Sequence, residues 1–187
     1  MTGLLHGPVF TQAMRAARRA RRLETRLAYT LSPAEQDQEP IFRSGDYTLS
    51  TTYAAWWDAW RQQVQPAVDE GGGYDRVRVV ADPPTDYQRF ALWSAQFNAR
   101  AGEQVNYMSR AAATAAGVPD ADFWILDGAT VLLMHYTLDN LFLGAIAVTA
   151  PDAVARYTQW HDIAIAISQP YDEYLAADPS RGRPAVP

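Results

Sequence analysis

The stretch from Asp122 to Val148, DFWILDGATVLLMHYTLDNLFLGAIAV, permits few folds. It is apolar and cut twice by turn chemistry, at Asp127-Gly128 and at Leu138-Asp139-Asn140. Asp-Gly between apolar runs is a hairpin signal, so the stretch predicts a three-strand antiparallel meander. Asp139 and Asn140 lie near its centre, where a membrane helix would leave both without partners in hydrocarbon.

Upstream, YDRVRVVADPPTDYQRF (74–90) reads as a strand feeding a helix. Side chains alternate faces along a strand, so Val77 and Val79 point one way and Arg76, Arg78 and Val80 the other. Thr85 followed by Gln88 matches a capping box, and Phe90, Trp93, Phe97 and Ala101 form the buried stripe of the helix, which Gly102 ends. EQVNYMSR (103–110) reads as a short strand. STTYAAWWDAWRQQVQPAV (50–68) carries Tyr53, Trp56, Trp57, Trp60 and Val64 at helical spacing, with Thr51 or Thr52 as cap. SPAEQDQEP (32–40) reads as a loop. FTQAMRAARRARRLETRLAY (10–29) reads as one amphipathic helix, with Arg15, Arg18, Arg19, Arg22 and Arg26 on its polar face. The last helix starts at Pro151 and is kinked or ended by Pro170. The expected fold is a single α+β domain. Its largely antiparallel sheet ends in the meander and is packed by N-terminal, middle and C-terminal helices. Its expected parts are a basic helix over 1–30, a body over 31–177 and a mobile tail over 178–187.

Composition excludes several chemistries. The 187 residues contain no cysteine and no lysine; all 16 basic residues are arginine. Disulfides, thiolate catalysis, Schiff-base lysines and P-loop lysines are therefore absent. Arginine stays charged at working pH, so its roles are binding and clamping. His6, His135 and His161 show no HxxxH spacing and no dense carboxylate company, so no metal site is expected, and no motif calls for a cofactor. There is no G-x-S-x-G elbow. Residues 1–10 lack the charged start and apolar run of a signal peptide, which predicts a cytoplasmic protein without a membrane segment. Arginine-only usage with abundant alanine suggests a GC-rich bacterial genome.

Charge is asymmetric. Residues 1–26 hold six Arg and one Glu, and the rest hold ten Arg against twenty acids. The basic arm, Arg15, Arg18, Arg19 and Arg22, is a candidate surface for an acidic partner, or pairs with the protein's own acidic body. Direct nucleic-acid binding is disfavoured by the net charge of −5. The candidate site is the strand–helix junction at 76–89. Arg76 and Arg78 lie one pleat repeat apart, about 7 Å, and with Arg89 could clamp an anion. Asp86 or Glu103 would serve as general base, and Tyr87, Trp93 and Trp124 as walls. The competing reading is an internal network in which Asp86, Glu103 or Asp122 satisfies the two arginines.

The series R-L-E-T-R (22–26), R-V-R-V-V (76–80), P-x-x-D-Y-x-R-F (83–90), A-G-E (101–103) and D-F-W-I-L-D (122–127), with A-x-x-x-x-Q-P-Y-x-x-Y (164–174), resembles an actinobacterial family of unknown function. Members of that family are often encoded beside XRE-type helix-turn-helix regulators. The resemblance implies a cytoplasmic regulatory or binding module acting with such a partner. The alternative is a small pathway-specific enzyme or binding protein for an anionic or aromatic molecule. The chain departs from the family pattern at Gln104 and Gly128, where acids are usual, and in YTLDNLFLG (136–144). The oligomeric state is open.

Overall fold

The computed structural model describes residues 3–185. In chain order its elements are α1 (Gly7–Ala16), β1 (Arg19–Glu24), α2 (Pro33–Arg43), α3 (Thr51–Asp69), β2 (Gly73–Val80), α4 (Asp86–Arg100), β3 (Gln104–Ser109) and α5 (Arg110–Ala115). Then follow β4 (Phe123–Leu126), β5 (Thr130–Tyr136), β6 (Phe142–Val148), α6 (Pro151–Ile167), β7 (Gln169–Pro170), α7 (Tyr171–Ala177) and a 3₁₀ turn (Pro179–Gly182). One seven-stranded sheet runs β6-β5-β4-β1-β2-β3-β7.

The meander forms as expected. At the β4–β5 turn Asp127 (φ 51°) and Gly128 (φ 66°) both occupy the left-handed region that a tight hairpin needs. The sheet as a whole is mixed. β1, β2 and β3 are parallel, because the connections between them are helical crossovers that return the chain to the same end. The remaining neighbours pair antiparallel.

Both sheet faces are covered. On one, Ala20, Tyr74, Trp124, Leu126 and Leu132 pack against α1 and α3. On the other, Leu23, Val77, Val79, Phe123 and Ile125 meet α5 and α6. A seam of Phe42, Tyr53, Trp57, Phe90 and Trp93 joins α2, α3 and α4. The α4 capping box forms as the sequence predicts.

Three local expectations are corrected. The long basic helix over 1–30 does not exist: α1 stops at Ala16, and Arg19–Glu24 is the middle strand of the sheet. Arginine is a good helix former, but β1 is flanked by β2 and β4, and pairing on both edges overrides local propensity. The predicted loop at 32–40 is α2. Ser32 accepts from the Glu35 N–H, and the Glu35 carboxylate accepts from the Ser32 N–H at 2.8 Å, a reciprocal cap. The tail does not hang free over its described part. Arg89 donates to the Ser180 carbonyl at 2.9 Å, and Arg181 stacks 4.3 Å over Tyr174. Residues 1–2 and 186–187 lie outside the described residues.

The α3–β2 turn sits against the start of β1. A Cβ on Gly72 would lie 2.1 Å from the Arg18 carbonyl oxygen, backbone that cannot yield. Gly72→Ala should destabilise the domain by about 2–3 kcal/mol, as overpacking does. Urea unfolding followed by tryptophan emission checks this, and an unchanged midpoint contradicts it.

Candidate functional site

Registry places the charged residues. Arg22 on β1 lies beside Arg76 on β2 and beside Trp124 on β4, while Glu24 lies beside Arg78. Since alternate residues share a face, Arg22, Glu24, Arg76, Arg78 and Trp124 all project from the face that α1 and α3 cover. Arg22, Arg76, Glu103 and Asp122 are all 8% exposed or less.

Glu24 is the hub. Its carboxylate accepts from Arg76 Nη1 at 2.7 Å and from Arg78 Nε at 2.6 Å, and Arg22 Nε stands 3.4 Å away. Arg76 Nε also donates to Glu103 at 2.7 Å. The second Glu103 oxygen accepts from Trp60 Nε1 at 3.2 Å and Asn98 Nδ2 at 2.5 Å. Asp122 lies 3.8 Å from Arg22 and accepts from the Thr25 N–H and hydroxyl and from the Tyr29 hydroxyl. Arg78 donates further to the Ala91 carbonyl and the Tyr107 hydroxyl. Arg22 donates to the Tyr136 hydroxyl at 3.1 Å. Two guanidiniums lie over the indole of Trp124, Arg22 at 5.1 Å and Arg76 at 5.5 Å.

These contacts set the protonation states. Burial would raise the Glu24 carboxyl, but Arg76, Arg78 and Arg22 outweigh it and hold it well below the usual carboxylate range. Burial pushes the Tyr29 hydroxyl up, and Asp122 pushes it further, so it remains a donor. Behind the sheet, fully buried His161 stands 3.1 Å from the Arg22 carbonyl oxygen and 3.1 Å from Asp75. Both are acceptors, so the Nε2 facing them carries the proton and anchors β1 from its other face.

Above the network is a cavity of about 270 Å³. Arg22, Arg76, Arg78 and Glu24 form its floor; indoles of α3 and β4, with Tyr29 and Tyr87, form its walls, and Glu35 also lines it. A groove of about 860 Å³ runs along α6 on the opposite side, lined by Val154, Ala155, Ile163 and Ala166. It is larger, but Asp162 is its one charged lining residue. Among the described residues no three His, Asp or Glu side chains are grouped so as to hold a metal, and no helix is long and apolar enough to cross a membrane.

Of the residues singled out from sequence, Arg76, Arg78, Tyr87 and Trp124 meet at this cavity, and Glu103 lies beneath it, bonded to Arg76. Asp86 is exposed at the start of α4, 3.7 Å from Arg43. Arg89 serves the 3₁₀ turn, and Trp93 is in the aromatic seam. Of the arm residues, Arg15, Arg18 and Arg19 are exposed, with Arg18 3.5 Å from Glu70, whereas Arg22 is buried in the network. Sequence reasoning missed Glu24, Tyr29 and Asn98. Glu24 was hidden by the helical reading of 10–29, although the Ala20, Arg22, Glu24 alternation was there to find.

A family model described as Domain of unknown function (DUF6879) matches residues 8–176. The chain belongs to this family. The matched span contains every residue of the network and its cavity. No curated protein matches the chain.

Removing Arg76 would leave Glu103 buried without its cation. Arg76→Met should therefore cost about 3–5 kcal/mol, the range for breaking a buried pair, readable as a lowered urea midpoint. Acid should act through Glu24. A carboxyl depressed by folding contributes stability that is present above its ordinary pKa and is lost as pH falls toward the folded value. Wild-type stability should thus decline between about pH 5 and pH 2. Glu24→Gln should be less stable at pH 7 and should show a flatter decline, measured by unfolding at stepped pH. Parallel curves for the two proteins would refute the assignment.

Proposed function

We propose that the protein is a small-molecule-binding module of a cytoplasmic regulatory pair, and that the aromatic-walled cavity over Glu24 is its ligand site. One observation carries this reading: the floor has more donors than its carboxylates use. A guanidinium offers five N–H groups, and protein partners engage one nitrogen of Arg22 and two each of Arg76 and Arg78. Arg22 Nε is buried and unpartnered by any hydrogen bond. A pocket with apolar walls and a few convergent polar groups is the usual form of a ligand site.

Catalysis is less well supported. Asp86 stands outside the cavity, and both oxygens of Glu103 are taken by donors, which suits an anchoring anion better than a base. The regulatory half of the proposal rests on the family resemblance, which points to an actinobacterial source and a helix-turn-helix partner. Exposed Arg15, Arg18 and Arg19 are the surface that such a partner with acidic side chains would meet.

Native mass spectrometry of the protein purified gently from its own cells tests this. The expected spectrum shows a non-covalent small molecule that is lost in Trp56→Leu, together with the regulator. A bare protein whose tryptophan emission is unmoved by a small-molecule extract of those cells would overturn the reading.

A further inference from the structure

The cavity over Glu24 has a chemistry specific enough to name a ligand class, and the inference rests on the binding-module reading above. We propose that the ligand is a flat aromatic monocarboxylate of one or two rings, with its ring among the indoles and its carboxylate on the arginine floor.

The walls point to the ring. Trp56, Trp57, Trp60 and Trp124, with Tyr29 and Tyr87, are among the eight aromatic residues of a 17-residue lining whose only aliphatic members are Met134 and Ala91. Aromatic faces favour an offset or edge-on aromatic guest over a flexible chain. Trp56 is 37% exposed and stacks on Tyr53 at 5.9 Å, so one indole stands at the solvent side of the cavity rather than in the core. About 270 Å³ lies just below the usual span for drug-sized ligands, roughly 300–1,000 Å³, which suits one or two rings.

The floor points to the acid and to its single charge. Arg22, Arg76 and Arg78 line the cavity, and protein acceptors leave Nε and Nη1 of Arg22 and Nη2 of Arg76 and Arg78 without a hydrogen bond; a guanidinium is the side chain whose N–H groups match a carboxylate. Yet their three positive charges are already met by Glu24, Glu103 and Asp122, and Glu35 also lines the cavity. The floor therefore has spare donors and little spare charge, and what there is sits on Arg22, whose nearest carboxylates stand 3.4 Å and 3.8 Å away. A monoanion that accepts several hydrogen bonds there adds the least negative charge an acid can. A phosphate dianion would place two more negative charges beside these carboxylates, where repulsion grows as water is excluded. A neutral alcohol would accept fewer of the floor's hydrogen bonds and would leave Arg22 with no carboxylate nearer than 3.4 Å.

Isothermal titration calorimetry of the whole protein with four probes tests this: 2-naphthoate, 2-naphthyl phosphate, 2-naphthalenemethanol and cyclohexanecarboxylate. The expected order has 2-naphthoate tightest by at least about tenfold, the factor that 1.4 kcal/mol represents. Trp56→Leu, a change at the solvent side whose folding is checked by its urea midpoint, should weaken 2-naphthoate and leave cyclohexanecarboxylate unaffected. Arg22→Lys keeps the charge but loses the fork, and should weaken both carboxylates. Equal or tighter binding of the phosphate, the alcohol or the saturated acid, with the same loss in Trp56→Leu, would overturn the ligand class while leaving a ligand site in place. No heat with any probe would overturn the class and count against the site itself.

Discussion

Glu24 ties β1 to β2 at the middle of the sheet, and its arginine partners carry the network on to β3. Its own strand, β1, supplies the carboxylate and Arg22; β2 supplies Arg76 and Arg78; Glu103 joins from the turn before β3. Burying three guanidiniums has a large desolvation cost, met only where geometry is good and the remaining donors find partners. Here the geometry is good: the Glu24 and Glu103 contacts to Arg76 and Arg78 fall between 2.6 and 2.7 Å. Much of the surrounding architecture follows from that requirement. The α3 indole of Trp60 donates to Glu103, Asn98 of α4 does the same, and Trp124 of β4 offers its ring to two guanidinium groups.

The same requirement shapes the cavity. A charged floor cannot be packed against aliphatic side chains without stranding its N–H groups, so aromatic residues with polar edges and faces stand above it. Hydroxyls of Tyr136, Tyr107 and Tyr29 reach into the network. What results is a polar surface below and a flat-walled space above, within a fold whose other core clusters are conventionally apolar.

Much of this was legible in the chain. Alternation in RVRVV gave β2 its two faces and put Arg76 with Arg78, and the Asp127-Gly128 turn set the meander. The Thr85–Gln88 box started α4 where it was expected. Glu103 was among the acids expected to satisfy the arginines, and it does. Asp86 was another, and it faces solvent on the outer side of the first turn of α4, 3.7 Å from Arg43, while Tyr87 beside it takes the inner side. The principal partner, Glu24, lies 52 residues from Arg76 in sequence. No local pattern relates the two positions.

Residue chemistry by itself determined which reactions are excluded, where the meander turns, and that arginines would share one side of a strand; these depend on composition and on neighbours a few residues apart. Tertiary structure alone decided that RARRLE is a strand, that Arg22 is buried rather than displayed, and that four charged residues from β1 and β2 share one floor. Arg19–Glu24 has side chains that suit a helix as well as a strand, and only the edges of β2 and β4 on either side choose between them. A choice made by hydrogen bonds to distant strands is invisible to any reading that moves along the chain one window at a time.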